Sequence, residues 1–414
     1  MRRPGALAGT MDLKSGYPYW AVKNGLMYAF PALERDLRCD VAVVGGGISG
    51  ALVANDLAAH GFEVVVLEQR DIAWGSTAAS TALLQYEIDT HLTDLARIVG
   101  EGDAVRAYRA CAEAIPMLED VARGLKDVGF ARTASLYFAS RPWHRGALHA
   151  EWAMRLRHGI QVEWLDRAAL QARVGIRAPG AILSSTAARM DPYRFASRLL
   201  HRLQRAGTAV HDRTCITRIE PAARSVTLHT DRGACVRAKH VVIAAGYASQ
   251  GWLDQRVARN SSSYAFVSDP LPRDALGPLA SLLVWESARP YFYLRSTDDH
   301  RLVVGGEDDA IDIPARRDRR VLRKSRKLLA RTQRLFPHLA LQPAFMWGGT
   351  FAETADGLPF FGPHPQYGPR VLFAMAYGGN GITYAMIGAQ LLRALIERRA
   401  HPLRALFGFE RLER

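Results

Sequence analysis

Residues Val41 to Glu68 read VAVVGGGISGALVANDLAAHGFEVVVLE. Val41 to Val44 is a short apolar run without a polar break, as expected of a strand buried on both faces. Gly45, Gly47 and Gly50 follow as G-x-G-x-x-G, with Ile48 and Ser49 between the last two. Ala51, Leu52, Ala54, Leu57 and Ala58 then make the apolar face of a helix that Gly61 ends. Phe62 to Leu67 is a second strand, closed by Glu68. Gly45 permits a tight turn at positive φ. Gly47 lets a pyrophosphate approach the backbone, and Gly50 lets the helix pack close on the strand. The helix N-terminus offers free N–H groups and the positive end of its dipole. Glu68, about 20 residues on, suits ribose hydroxyls and would repel a 2′-phosphate. This context predicts a dinucleotide site and argues against NADP; NAD and FAD both stand open. A generic glycine-rich βα turn is the blander alternative, and it leaves Glu68 unexplained.

The 414 residues are 49% hydrophobic and 23% charged, which is ordinary globular composition with room for two domains or one interleaved unit. The formal net charge is +14, nearly all of it arginine, with one local concentration at Arg316 to Arg334. Such a balance can suit nucleic acid or a membrane surface. No zinc-finger spacing or RNA-binding sheet signature accompanies it, so no nucleic-acid partner is expected. Cys39, Cys111, Cys215 and Cys235 form no CxxC pair. They read as free thiols in a reducing cytoplasm, with no metal site. No run of 18 apolar residues occurs, so no membrane span is expected, and no apolar h-region follows Met1-Arg2-Arg3. A cytoplasmic location is the expectation.

Outward from the glycine turn, residues 1–38 form an arm with Tyr17-Pro18-Tyr19-Trp20, Tyr28, Phe30 and Pro31. It is expected to anchor over the surface by its rings, with 1–12 as a loose tail. Trp74 to Asp89, WGSTAASTALLQYEID, is small, hydroxyl-rich and uncharged until Glu87. Ser76, Thr77, Ser80 and Thr81 can donate to phosphate oxygens there. Helices are expected over 102–126 (with Pro116 as a kink), 149–158 and 193–206, the last capped by Asp191. Asp166 to Ala172 reads as a capped helical turn, and 135–140 and 162–164 as strands. Further strands are expected at 210–219 and 225–230. His240 to Gly246 is a buried parallel strand ending in small residues. Tyr264 to Val267, Leu282 to Glu286, Tyr291 to Arg295 and Leu302 to Gly305 read as antiparallel strands. Tyr291 and Tyr293 share one face, which is either a pocket wall or a half-exposed surface. The basic stretch 316–336 reads as a helix packed on the core with a solvated face, the alternative being a membrane-surface helix. Last come Trp347-Gly348-Gly349-Thr350, Asp356-Gly357-Leu358-Pro359, a strand over 371–377, and Gly378-Gly379-Asn380-Gly381-Ile382-Thr383 opening a helix to Arg398. That second glycine-to-helix turn suits an electron-rich group such as the N1–C2=O2 edge of a reduced flavin.

At these stretches, from about Tyr19 to Ile396, the sequence resembles the flavin-dependent amine and amino-acid oxidase family of D-amino-acid oxidase, glycine oxidase and sarcosine oxidase. It has the look of the gamma-glutamylputrescine oxidase-like members, which also carry an aromatic-proline arm and a Trp-Gly-Gly near the position of Trp347. The resemblance implies an α/β fold: a doubly wound, Rossmann-like FAD-binding domain with a mixed or antiparallel sheet domain for the substrate. The expected division is an arm at 1–38, a discontinuous FAD-binding domain at 39–95, 185–255 and 345–414, and a substrate domain at 96–184 and 256–344. By the same resemblance Gly45, Gly47, Ile48, Ser49, Gly50 and Glu68 hold the ADP half of FAD, with Gln69 and Arg70 flanking the adenosine. Gly75, Ser76, Thr77, Ser80, Thr81, Ala82 and Leu83 line the pyrophosphate and the inner face of the flavin. Ile216, Ala245 and Gly246 meet the adenine. Gly379, Asn380, Gly381, Ile382 and Thr383 wrap the isoalloxazine edge, and Gly349 is a further cofactor contact.

Two departures narrow the expectation. Amino-acid oxidases place an arginine shortly before the Asp-Gly-x-Pro segment to clamp a carboxylate. Here that position holds Phe351, which points toward an amine, a polyamine conjugate or an N-substituted amine. No cysteine stands near that segment, so non-covalent FAD is expected. The implied reaction is oxidation of a C–N bond in an amine or amino-acid-like substrate, by hydride transfer to flavin N5 and hydrolysis of the imine. Tyr291, Tyr293, Trp347 and Tyr377 are the candidate aromatic pocket; Gln85 and Glu353 are possible polar contacts. Electrons then pass to O2, giving H2O2, or to an electron carrier. No lysine occurs between Lys126 and Lys239 or from there to Lys324, so Arg289 or Arg295 would have to aid the reaction with O2. A NAD-dependent dehydrogenase and a non-catalytic flavoprotein are the other classes in view.

Overall fold

A computed structural model describes residues 13–310 and 312–413; the expected loose tail at 1–12 lies outside them. Two sheets organise the chain. The first runs Phe360–Pro363, Val371–Met375, Cys235–Ile243, Leu37–Val44, Val64–Leu67, Ala209–His211. The pairings from Val371–Met375 to Ala209–His211 are parallel. Side chains alternate across it. Val41, Val43, Val64 and Val66 face a core shared with Leu52 and Leu57 of helix Ile48–Ala59, Leu199 of helix Pro192–Arg205 and Leu391 of helix Gly381–Ile396. Ala42, Val44, Val65 and Leu67 face a second core. This one is closed by antiparallel strands Ile216–Pro221 and Val226–Thr230 and by Leu253 and Phe409, not by a second layer of long helices.

The second sheet has 10 strands. It contains the four expected strands as Arg259–Ser268, Leu302–Asp309, Phe292–Ser296 and Leu282–Glu286, antiparallel in that spatial order. Leu282–Glu286 then pairs parallel with Ala131–Phe138. Gly180–Arg189, GAILSSTAAR, is a strand paired on both sides, and its small and hydroxyl residues gave no period-2 signal. Leu83–Gln85, Gly180–Arg189 and Pro343–Glu353 all belong to this sheet. Sheet membership therefore crosses the segment boundaries expected at 95, 185 and 345. Helix Glu101–Arg123, with Pro116 inside it, sends Tyr108, Cys111, Ile115 and Leu118 into the core of the first sheet's helices, not toward the second sheet's far face.

The arm is tied down at particular rings. Lys14–Gly16 adds an edge strand to Pro343–Glu353. Tyr19, Trp20 and Phe30 are buried, whereas Tyr17 is 76% exposed. The basic helix spans Pro314–Leu335 and buries Leu328 and Thr332 against the second sheet. Asp166 and Asp191 cap their helices by accepting from Ala169 N–H and Arg194 N–H. Among the described residues no helix is long and apolar enough to cross a membrane. The four cysteines are unpaired.

Candidate functional site

A cavity of about 1030 Å³ lies between the two sheets, its walls drawn from both. That is the upper end of the size range for small-molecule sites. At one end stands Glu68. Its carboxylate accepts from Gly46 N–H at 2.8 Å and Arg70 N–H at 2.9 Å. Burial pushes its carboxyl up, against those two hydrogen bonds. Gln69, Arg70, Ile216, Ala245 and Gly246 line this end, together with Cys215.

The turn beside it is built for close approach. Gly45 has φ +118°, and a Cβ there would lie 2.3 Å from Ala244 O. A Cβ on Gly50 would lie 1.9 Å from Gly45 O. Gly50 therefore does not line the cavity; it lets the helix sit where Gly45, Gly47, Ile48 and Ser49 can. Thr77 Oγ1 accepts from Ile48 N–H at 3.0 Å, which joins the two expected phosphate segments.

The middle of the cavity is lined by Gly75, Ser76, Thr77, Ser80, Thr81, Ala82 and Leu83. Three consecutive carbonyls here accept from buried side chains of distant segments. Trp347 Nε1 donates to Ala79 O at 2.8 Å, Trp20 Nε1 to Ser80 O at 2.8 Å, and Arg295 Nε to Thr81 O at 2.6 Å. These anchors turn the carbonyls toward their partners and fix the segment. The hydroxyl-rich sequence announced the segment; its three holders were not visible.

The far end carries Gly349 and Gly379, Asn380, Gly381, Ile382 and Thr383, with Tyr291, Tyr293 and Trp347. Tyr293 fits because Gly305, opposite it in register, leaves room for the ring. Tyr377 is turned away. It is absent from the wall, packs against Tyr247 at 5.5 Å, and donates to Gly246 O at 3.2 Å. Gln85 lines the cavity and Glu353 does not. Arg289 and Arg295 are also off the wall: the first lies over the Tyr291 ring, the second is buried among carbonyls. Sequence reading missed Tyr247, Trp285, Asp89 and Asp308, all of which line the cavity. Asp89 Oδ2 accepts from Gly379 N–H at 2.8 Å, and Tyr291 OH donates to Asp89 O at 3.3 Å.

Ser76 Oγ and Asn380 Oδ1 are buried, lie on the cavity wall and have no hydrogen-bond partner among the described residues. Buried polar atoms of this kind call for a partner. One stands in the middle segment and one at the second glycine turn, as a long dinucleotide such as FAD requires.

The sequence profile of the FAD dependent oxidoreductase family (DAO) matches residues 40–395. Gamma-glutamylputrescine oxidoreductase of Escherichia coli (strain K12) is 25% identical over 399 residues, 91% of this chain and 88% of that protein. The putative Rieske 2Fe-2S iron-sulfur protein YhfW of Bacillus subtilis (strain 168) is 24% identical over 400 residues, 94% of this chain and 74% of that protein. A crystal structure of glycine oxidase from Geobacillus kaustophilus superposes with a TM-score of 0.74 at 21% identity, covering 90% of this chain and 98% of that one. The profile match begins in the first strand of the parallel sheet, ends in its C-terminal helix and takes in the cavity wall from Gly45 to Thr383, and the chain thus belongs to the FAD dependent oxidoreductase (DAO) family.

Proposed function

We propose that the chain oxidises the C–N bond of an amine, with its cationic or aliphatic group held against the aromatic end of the cavity. One observation carries this reading. Around Tyr291 and Tyr293 the wall presents Tyr247, Trp285 and Phe351 with the carboxylates Asp89 and Asp308. Among the described lining residues the basic ones are Arg70 and Arg218, which accompany Glu68 and Ile216 at the adenosine end. Rings and carboxylates receive a cation; among the described lining residues no guanidinium stands at this end for a bidentate carboxylate clamp, Arg289 being laid over the Tyr291 ring and off the wall. The relative named gamma-glutamylputrescine oxidoreductase supports the same class.

FAD, when bound, supplies the hydride acceptor. The chain's own residues hold and orient. Gly45, Gly47 and the helix after them would take the pyrophosphate, and Glu68 the ribose. Ser76, Thr77 and Thr81 would line the inner face, and the Gly379–Thr383 turn the ring edge. Trp347 acts mainly as the donor that fixes Ala79, and Tyr291 and Tyr293 shape the substrate end. We read the cofactor as non-covalent. Cys215 does stand on the wall, contrary to the expectation that no cysteine was close, but it neighbours Ile216 at the adenosine end.

Anaerobic mixing of the yellow protein with polyamines, N-methyl amines and α-amino acids tests the reading. Bleaching by amines and not by simple α-amino acids is expected; the reverse selectivity would reject it. All flavin should leave the protein on acid denaturation. A second reading, electron transfer to a carrier, is favoured by a wall without lysine and by a relative named as an iron-sulfur protein. Turnover with an artificial acceptor but no peroxide under air would select it over O2.

A further inference from the structure

The two carboxylates at the aromatic end differ in what already holds them. Asp89 has the N–H of Gly379. Asp308 lies in strand Leu302–Asp309, close to Ser263. Its Oδ1 is buried, lies without a hydrogen-bond partner among the described residues, and belongs to a residue of the cavity wall. The charged and titratable groups that face it are Asp89, Glu353, Arg289 and Tyr293. Asp89 and Glu353 repel its negative charge. Arg289 attracts it, but that guanidinium is exposed and laid over the Tyr291 ring. A buried acceptor with an empty lone pair direction, among carboxylates and rings, is a receptor for a cationic donor.

We propose that Asp308 receives the substrate ammonium and takes one proton from it. This rests on the amine-oxidising reading above. The N–H bond breaks, an O–H bond forms on the Asp308 carboxyl, and the electron pair stays on nitrogen. Nothing is oxidised in this step. It prepares the next one, because only a nitrogen with a free pair can form the C=N bond as the neighbouring carbon gives up hydride. Burial, with Glu353 and Asp89 nearby, pushes the Asp308 carboxyl up to about 7. A base in that range can both accept the proton and return it near neutral pH.

The test uses the FAD-loaded protein and trimethylpropylammonium, a cation with no proton to give and no lone pair to react. Its binding is followed by calorimetry at pH 6 in two buffers of different ionisation enthalpy. Close to one proton released per cation is expected from the wild type, since the cation forces Asp308 to ionise. Asp308→Asn should release almost none, and its kcat/KM for an amine should lose the limb near pH 7. No release from the wild type, or equal release from the variant, overturns the proposal. If Asp308→Asn does not fold, the wild type still decides. Its cation affinity should weaken about tenfold per pH unit below 7, and an affinity flat from acid to neutral pH sinks the idea. A wild type whose flavin no amine reduces would instead remove the amine-oxidising reading, whatever the proton count.

Discussion

Gly50 and Gly45 depend on each other: the space a Cβ on Gly50 would need is filled by Gly45 O, and Gly45 itself is wedged against Ala244 O. Neither can retreat, since both strands are paired in register at that point. Gly50→Ala should therefore cost about 1–3 kcal/mol by overpacking, and the protein should purify with most of its flavin lost, read from the ratio of flavin to protein absorbance. Asp308 gives a prediction on stability. Its folded-state carboxyl titrates near 7, above the ordinary value of 3.8. The native state then holds the proton longer than the unfolded chain, so stability falls as pH rises from about 4 through about 7. Asp308→Asn should remove that fall: thermal midpoints like the wild type's at pH 4, and higher by about 2–4 °C at pH 8. Tyr377 and Tyr291 separate wall from core. Tyr377→Phe loses about 1 kcal/mol with its bond to Gly246 O and should leave KM unchanged. Tyr291→Ala should raise KM for the amine severalfold.

At the scale of elements, the segment Ala79 to Thr81 is rigid because it is held from outside. Trp347 comes from strand Pro343–Glu353, Arg295 from strand Phe292–Ser296, and Trp20 from the arm helix Tyr19–Asn24. Arg295 also donates to Met190 O and Ser296 O. Arg295→Met would take the Arg295 donor from Thr81 O and Met190 O, at about 1–3 kcal/mol each where burial persists, while Ser296 O keeps Arg189 Nη1 at 3.5 Å. Denaturant unfolding should show a clear loss of stability, and flavin retention should weaken with it. Trp347→Phe removes one donor of the three, so a smaller loss of both is expected. The basic helix Pro314–Leu335 is fixed in a similar way. Arg317 reaches Asp312 at 2.6 Å and Thr350 at 2.8 Å, with both charges buried. Lys324 is buried as well and donates to Glu307 O at 2.6 Å, while Arg319, Arg323, Arg326, Lys327 and Arg334 face solvent, as the helical spacing of the sequence suggested.

For the whole molecule, the two sheets are wound through each other. The chain leaves the parallel sheet after Leu67, lines the cavity, and enters the second sheet at Leu83–Gln85. The arm then closes the assembly from the N-terminal side, through Lys14–Gly16 and Trp20. Deletion through Trp20 should therefore lower flavin affinity as well as the thermal midpoint, although Glu68 and the Gly45–Gly50 turn are untouched. Unchanged flavin content in that truncated protein would show that the arm is only a cover.

The glycine turn, its helix and Glu68 were legible because their chemistry is local: a turn, a close approach and a helix terminus are set within some 30 residues by backbone sterics and hydrogen bonding. Asp166 and Asp191 were legible as caps for the same reason. Strand Gly180–Arg189 was not, since its place comes from partners on both sides and not from its own alternation. Nor could the sequence tell Tyr291 from Tyr377, both tyrosines in or beside expected strands, because the direction of a ring depends on what fills the opposite side. The opening stretch alone determined the strand, glycine turn and helix and the acidic residue that ends the next strand, and the dinucleotide expectation rests on these. Only the tertiary structure decided which carboxylate of the cavity wall, Asp308, keeps a buried oxygen without a partner among the described residues. Burial and the want of a partner are sums over strands brought together from opposite ends of the chain, and no window of sequence contains them.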